Sequence, residues 1–145
     1  MNVNTKYDIN IPPKVDIPKA VEAIRQRVTA VENADSDAEE HQLIVSDFVK
    51  LFTAGYLDEA PGVDPWDPHA LEKWAMNKAD KEDEVCVRFI INIWNPSRGA
   101  RWKIGRFDVM DMKHLSELSI EIIAEWFKAP FWFNEYVCID GGDAE

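Results

Sequence analysis

The sequence predicts an α+β domain in which three or four helices pack on one face of a small antiparallel β-sheet, in the order α-α-α-β-β-α-β. Three segments before residue 80 repeat apolar side chains at helical spacing, whereas residues 85–94 alternate as a strand does. A chain of 145 residues buries about two-thirds of its unfolded surface, so it folds without a metal ion or a disulfide framework.

Prolines and polar residues mark the ends of the predicted domain. Three prolines among the first 18 residues resist helix formation, so residues 1–16 are predicted to form an extended N-terminal arm. Residues 17–140 then form a single α+β domain, and residues 141–145 form a flexible acidic tail.

Three helices are predicted before the sheet. The first spans about residues 18–31, and its apolar stripe consists of Ile17, Ala20, Val21, Ile24, Val28 and Val31. The second begins near Asp37, because Ser36 and Glu39 have the spacing of a capping box. The third opens at Asp67-Pro68, where an N-cap residue precedes a proline that suits the first turn.

A β-hairpin is predicted next. Its first strand covers residues 85–94, with apolar side chains at Val85, Val87, Phe89, Ile91 and Ile93. A loop at residues 95–99 leads to a second strand from Arg101, whose apolar phase slips by one residue at Gly105. A β-bulge at Gly105 and an irregular strand explain the slip equally well.

One more helix and one more strand complete the predicted fold. Asp111 is predicted to cap a fourth helix that ends before Pro130. Phe131–Ile139 then alternates as a third strand, although Glu135 interrupts its apolar face.

The formal charge of −11 is distributed unevenly along the chain. Residues 35–84 contain 14 acidic and four basic side chains, and residues 114–145 contain seven acidic side chains and one basic one. Residues 85–113, by contrast, contain six basic and two acidic side chains. The predicted hairpin is therefore a basic island between acidic segments, which bears on partners rather than on fold.

Carboxylates on the predicted helices form the first candidate binding surface. Its residues are Asp37, Glu39, Glu40, Asp47, Asp58, Glu59, Asp64, Glu117, Glu121 and Glu125. Rows of carboxylates imitate nucleic-acid phosphates and displace counterions from a partner's basic groove. A general role of these carboxylates in solubility explains the same pattern, so charge mimicry is the more specific of two interpretations.

The basic hairpin forms the second candidate surface. Its residues are Trp94, Arg98, Arg101, Trp102, Lys103 and Arg106. Tryptophan and arginine are enriched at binding hot spots, although these charges can also pair with acidic helices of the same molecule. A chain with a pI of about 4.7 repels a nucleic-acid backbone, so direct nucleic-acid binding is disfavoured.

The sequence contains none of the common catalytic, metal-binding or cofactor-binding motifs. His41, His69 and His114 each lack a second histidine or cysteine at ligand spacing, so no metal site is predicted. Asp108, Asp111 and His114 lie close in sequence, but helix capping accounts for the aspartates more simply than acid–base chemistry does. No catalytic residue and no cofactor are predicted.

The predicted function is that of a non-enzymatic acidic protein that binds another protein with a basic surface, as an inhibitor, adaptor or assembly component. The first alternative is a ligand-binding or enzymatic pocket around Glu135, Arg88, Arg106 and His114, although a salt bridge from Glu135 to either arginine is the simpler interpretation. The second alternative is a homo-oligomer that uses the arm at residues 1–16.

The predicted location is the cytoplasm, without contact with a membrane. Cys86 and Cys138 lie in apolar runs and are predicted to be core thiols, which fits a reducing compartment. The sequence shows neither a secretory signal nor an apolar run near the ~20 residues that a membrane span needs.

Overall fold

The computed structural model describes residues 15–33, 38–95 and 102–133, and every regular element within them is helical. The α-helices are α1 (Ile17–Asn33), α2 (Ala38–Val49), α3 (Pro68–Asn77), α4 (Lys81–Trp94) and α5 (Glu117–Lys128). Short 3-10 helices lie at Leu57–Glu59 and Val109–His114. The predicted α+β fold is therefore wrong, because the described residues contain no strand and no sheet.

Helix α4 occupies the stretch that the alternation assigned to the first strand. Its buried apolar side chains are Val85, Cys86, Val87, Phe89, Ile90, Ile91, Ile93 and Trp94. A strand would place Glu84, Arg88 and Asn92 on one face together with the apolar Cys86 and Ile90, whereas a helix places the three polar residues along one side and separates them from the two apolar ones. A helix that is apolar on most of its surface must be buried, and this burial overrides the strand preference of the β-branched residues.

The predicted second strand is a turn followed by a 3-10 helix. Gly105 has a φ of 89°, which favours glycine, and its amide donates to the carbonyl oxygen of Trp102 over 3.1 Å. The predicted β-bulge at Gly105 is therefore wrong, because the positive φ of this residue belongs to a tight turn. Val109, an apolar residue of the predicted second strand, lies in the 3-10 helix and is 78% exposed.

Part of the predicted chain ends lies outside the described residues. Phe131 and Phe133 are buried, as expected, but residues 131–133 form no strand. The rest of the predicted third strand, with Glu135 and Cys138, lies outside the described residues, as do the acidic tail and the arm as far as residue 14.

The helices predicted before residue 80 are confirmed, with small shifts at their ends. Asp67 caps α3, because its carboxylate accepts hydrogen bonds from two amides of the first turn over 3.1 and 3.2 Å. The predicted cap of α5 is wrong: Ser116 caps α5, and Asp111 instead completes a capping box with Asp108 at the start of the 3-10 helix.

Helix α4 is the most buried element of the fold. Helix α3 and both 3-10 helices contact α4, while α1 packs against α2 and α5. One apolar cluster contains side chains from all five helices. The ring of Phe89 on α4 lies 5.2 Å from that of Trp126 on α5, edge to face. None of the described helices is long and apolar enough to cross a membrane.

Candidate functional site

The polar side of α4 is occupied by contacts within the molecule. The Arg88 guanidinium donates to the Ile104 carbonyl oxygen at 2.9 Å, to Asp111 at 2.8 Å and to Glu84 at 3.0 Å. Asn92 donates to the Gly105 carbonyl oxygen at 3.1 Å. These bonds fix residues 104–111 on α4. The guanidinium of Arg88 is therefore occupied by contacts within the fold. Glu135, its partner in the predicted ligand pocket, lies outside the described residues.

The first turns of α4 and α5 are joined through Glu82. Its carboxylate accepts from the Ser116 amide at 3.1 Å, from the Ser116 hydroxyl at 2.6 Å and from the Ser119 hydroxyl at 2.7 Å. Burial raises the pKa of Glu82, but these hydrogen bonds outweigh burial and leave the pKa below its usual value. The ionised carboxylate thus stabilises the contact between the two helices.

The pKa of Asp83, the next residue, is shifted in the opposite direction to that of Glu82. Its carboxylate is buried against Gly55 and accepts from the Tyr56 amide at 3.0 Å. Burial raises the pKa of Asp83, and the nearby acidic side chains of Asp80 and Glu82 add to this effect. The acidic first turn of α4 therefore serves packing and capping, and among the described residues no group of His, Cys, Asp or Glu could hold a metal ion.

The predicted basic surface loses its aromatic anchors in the fold. Trp94 and Trp102 are only 7% and 5% exposed, and their rings lie 5.3 Å from Trp66 and 5.0 Å from His69 respectively. Neither tryptophan is therefore available as an anchor for a partner. Lys103 and Arg106 are exposed, whereas Arg98 and Arg101 lie outside the described residues.

Several predicted carboxylates are paired within the molecule. Asp47 binds Arg27 at 2.8 Å, and Asp64 binds Lys50 at 2.6 Å. Glu125 binds Lys128 at 2.8 Å. These pairs reduce the negative charge that the acidic surface presents to a partner.

Other predicted carboxylates remain open to solvent. Glu39, Glu40 and Glu59 are exposed and Asp58 is half-buried, while Asp37 lies outside the described residues. Glu117 and Glu121 are exposed on α5, and neither forms an ion pair with another described residue.

The outer side of α5 carries apolar side chains beside these two carboxylates. Ile120 is 37% exposed and Phe127 is 56% exposed, and their spacing of seven residues places them on one side of the helix. Glu117 and Glu121 lie within one turn of Ile120 along the same exposed side. We call this surface, defined by Glu117, Ile120, Glu121 and Phe127, the α5 face.

A second exposed apolar segment follows Phe107 in the chain. The rings of Phe107 and Phe127 both contact the ring of Phe89, at centroid distances of 5.3 and 6.3 Å. Val109 and Met110, which come two and three residues after Phe107, are 78% and 63% exposed. The α5 face and this segment are therefore linked through the buried ring of Phe89.

No family model, curated protein or solved structure matches this chain. Its functional surface therefore has to be identified from the geometry. Sequence reasoning found the carboxylates of the α5 face but missed Ile120 and Phe127. Their offset from the core stripe of Ile122, Ile123 and Trp126 was the available signal, because apolar residues outside the core stripe are exposed on a helix that is buried on one side.

Proposed function

We propose that this is a non-enzymatic acidic protein that binds another protein through the α5 face. The observation that carries the proposal is the exposed Phe127 and Ile120 beside Glu117 and Glu121, which form no ion pair with another described residue. Exposed aromatic residues bordered by charge are typical of interaction surfaces. The partner segment that fits this face has apolar side chains flanked by lysine or arginine.

The two kinds of side chain on the α5 face have separate roles in this proposal. Burial of the exposed part of Phe127 contributes about 1–2 kcal/mol of binding free energy. Glu117 and Glu121 attract a basic segment and fix its orientation, an effect that appears mainly in the association rate and in its dependence on salt. The partner is accordingly bound by apolar contact and selected by charge.

In a more specific form of this proposal, the protein occupies the nucleic-acid-binding surface of its partner by charge mimicry. The exposed carboxylates of Glu117 and Glu121 support it, since neither is neutralised by an ion pair with another described residue. The ion pairs of Asp47 and Asp64 weaken it, because those charges are already neutralised. We also propose a cytoplasmic location, which the buried free thiol of Cys86 supports.

The test uses two pairs of variants, each with one variant on α5 and a matched control on α2. Each variant is used to capture proteins from native lysate, and mass spectrometry identifies the captured proteins. Glu117→Gln/Glu121→Gln removes two carboxylates from the α5 face, and Glu39→Gln/Glu40→Gln removes two from the first turn of α2. Phe127→Ala removes the exposed ring, and Leu43→Ala removes a side chain of similar exposure (57%) from α2.

We expect a basic protein to be captured by the wild type and by both α2 variants, but by neither α5 variant. Its retention should also fall steeply as salt is added. Loss of the partner only in Glu39→Gln/Glu40→Gln would place the contact on α2 and overturn the assignment to α5. Retention that none of the four variants changes, or that salt does not affect, would contradict the proposal.

A further inference from the structure

A polar cleft lies between α3 and the turn at residues 102–105. It has a volume of about 680 Å³ and is lined by His69, Glu72, Lys73, Met76, Asn77, Trp102 and Lys103. Small-molecule sites generally have volumes of about 300–1,000 Å³ and contain a few converging polar groups. The cleft therefore has the size of a site for a small organic molecule, on elements other than the α5 face.

Glu72 supplies a hydrogen-bond acceptor to this cleft. Its side chain is 8% exposed, and Oε2 accepts from the Ile104 amide at 3.0 Å. The other carboxylate oxygen has no hydrogen-bond partner among the described residues and is accessible to solvent at the cleft. An accessible carboxylate oxygen accepts hydrogen bonds, so this oxygen is suited to a donor on a ligand.

Two lysines supply positive charge at the same cleft. Lys73 and Lys103 are both exposed, and neither pairs with an acidic side chain among the described residues. In a chain of net charge −11, two unpaired ammonium groups at one cleft attract anions locally where most of the surface repels them. The ring of His69, packed against Trp102 at 5.0 Å, forms an aromatic wall beside them.

We propose that this cleft binds a small organic anion whose body carries a hydrogen-bond donor. Lys73 and Lys103 bind the anionic group, which is a phosphate monoester or a carboxylate. The free oxygen of Glu72 accepts the donor, and the His69 ring packs against the body of the ligand. An anion without a donor, or a donor without an anionic group, satisfies only half of the site and binds more weakly.

The test is an NMR titration of the full chain with two pairs of probes. Adenosine 5′-monophosphate and 4-aminobenzoate each combine an anionic group with an amino donor, and adenosine and 4-aminobenzamide are their neutral counterparts. The Ile104 amide is the readout, because it bonds directly to Glu72 and responds to a ligand in the cleft. We expect a saturable shift of this signal with at least one of the two anions, and binding of its neutral counterpart at least about tenfold weaker.

Two variants identify the groups that bind the anion and the donor. Lys73→Ala/Lys103→Ala should weaken binding at least about tenfold, whereas Lys19→Ala/Lys78→Ala removes the same charge outside the cleft and should leave binding unchanged. Glu72→Gln keeps an oxygen for the Ile104 amide but replaces the free acceptor by a donor, so it should also weaken binding. Thermal unfolding of each variant checks that the fold is retained.

The two arms of the titration distinguish the possible anions. A response to the nucleotide identifies a phosphate site, and a response to 4-aminobenzoate identifies a carboxylate site. The proposal is overturned if no probe gives a saturable shift at Ile104, if the neutral probes bind as tightly as the anions, or if Lys73→Ala/Lys103→Ala binds as the wild type does. These outcomes do not depend on α5, so they are independent of the protein-binding proposal.

Discussion

Helices α4 and α5 begin in the same way and use their polar side chains differently. Each follows an N-cap residue and has at least one acidic residue in its first turn. On α4, Glu82, Arg88 and Asn92 bond to other parts of the chain, and Glu84 bonds to Arg88 on the same helix. On α5, Glu117 and Glu121 form no ion pair with another described residue, and apolar side chains beside them remain exposed. These polar residues of α4 therefore stabilise the fold, whereas Glu117 and Glu121 of α5 are available for binding.

Arg88→Met should show the largest effect on the α4 side of this comparison. The variant leaves Asp111 and the Ile104 carbonyl oxygen without their partly buried donor, so we expect the free energy of unfolding to fall by about 3 kcal/mol. Arg106→Met is the control, because Arg106 is exposed and forms no ion pair among the described residues. It should change stability by less than about 0.5 kcal/mol. Urea denaturation measures both values, and equal effects of the two variants would contradict the structural role of Arg88.

Glu82→Gln should show a smaller effect that depends on pH. Because the pKa of Glu82 lies below its usual value of 4.5 in the folded state, its ionised form stabilises the fold fully above about pH 4.5. This contribution is lost as the pH falls through the folded pKa. At pH 7 the variant should lose no more than about 1 kcal/mol, since solvent screens a partly exposed carboxylate.

The measurement for Glu82 is the difference in unfolding free energy between the variant and the wild type from pH 7 to pH 3. We expect the difference to be constant down to about pH 4.5 and then to shrink. Glu59→Gln, which removes an exposed carboxylate, serves as the control. A difference that grows on acidification would show that Glu82 does not stabilise the contact between α4 and α5 in its ionised form.

Glu117→Gln/Glu121→Gln should show the smallest effect on stability. The two carboxylates lie one turn apart, so their mutual repulsion offsets the favourable position of Glu117 in the first turn. We expect the free energy of unfolding to change by less than about 0.5 kcal/mol in urea denaturation. A loss of more than about 1 kcal/mol would show that these carboxylates serve the fold as those of α4 do, and the comparison would fail.

The sequence allowed the helices before residue 80 to be predicted, because their apolar stripes and N-cap residues agree with each other. The strand prediction at residues 85–94 failed because only Arg88 and Asn92 interrupt an otherwise apolar segment, so its polar side is too narrow to reveal the helical period. The carboxylates of α5 were predicted as candidate binding residues from their spacing. Ile120 and Phe127 were missed, because an apolar residue is expected to be buried until the packing of the helix is known.

The cleft on α3 shows a different limit of sequence reasoning. Glu72 and Lys73 come from one helix, whereas Lys103 and Ile104 come from a turn about 30 residues away. Arg88 and Asn92 hold that turn on α4, and α4 packs against α3. No spacing within a single segment indicates such an arrangement, since it depends on how three elements meet in space.

The buried thiol of Cys86 allows the opening of the contact between α4 and α5 to be measured. It is buried between the two helices and donates to the Ser119 hydroxyl at 3.4 Å, and burial raises its pKa to about 12. Because thiol reagents attack only an accessible thiolate, the folded protein resists them until the helices separate. In a Cys138→Ser variant, the rate at which a thiol reagent labels Cys86 therefore reports how often the contact between α4 and α5 opens by local unfolding.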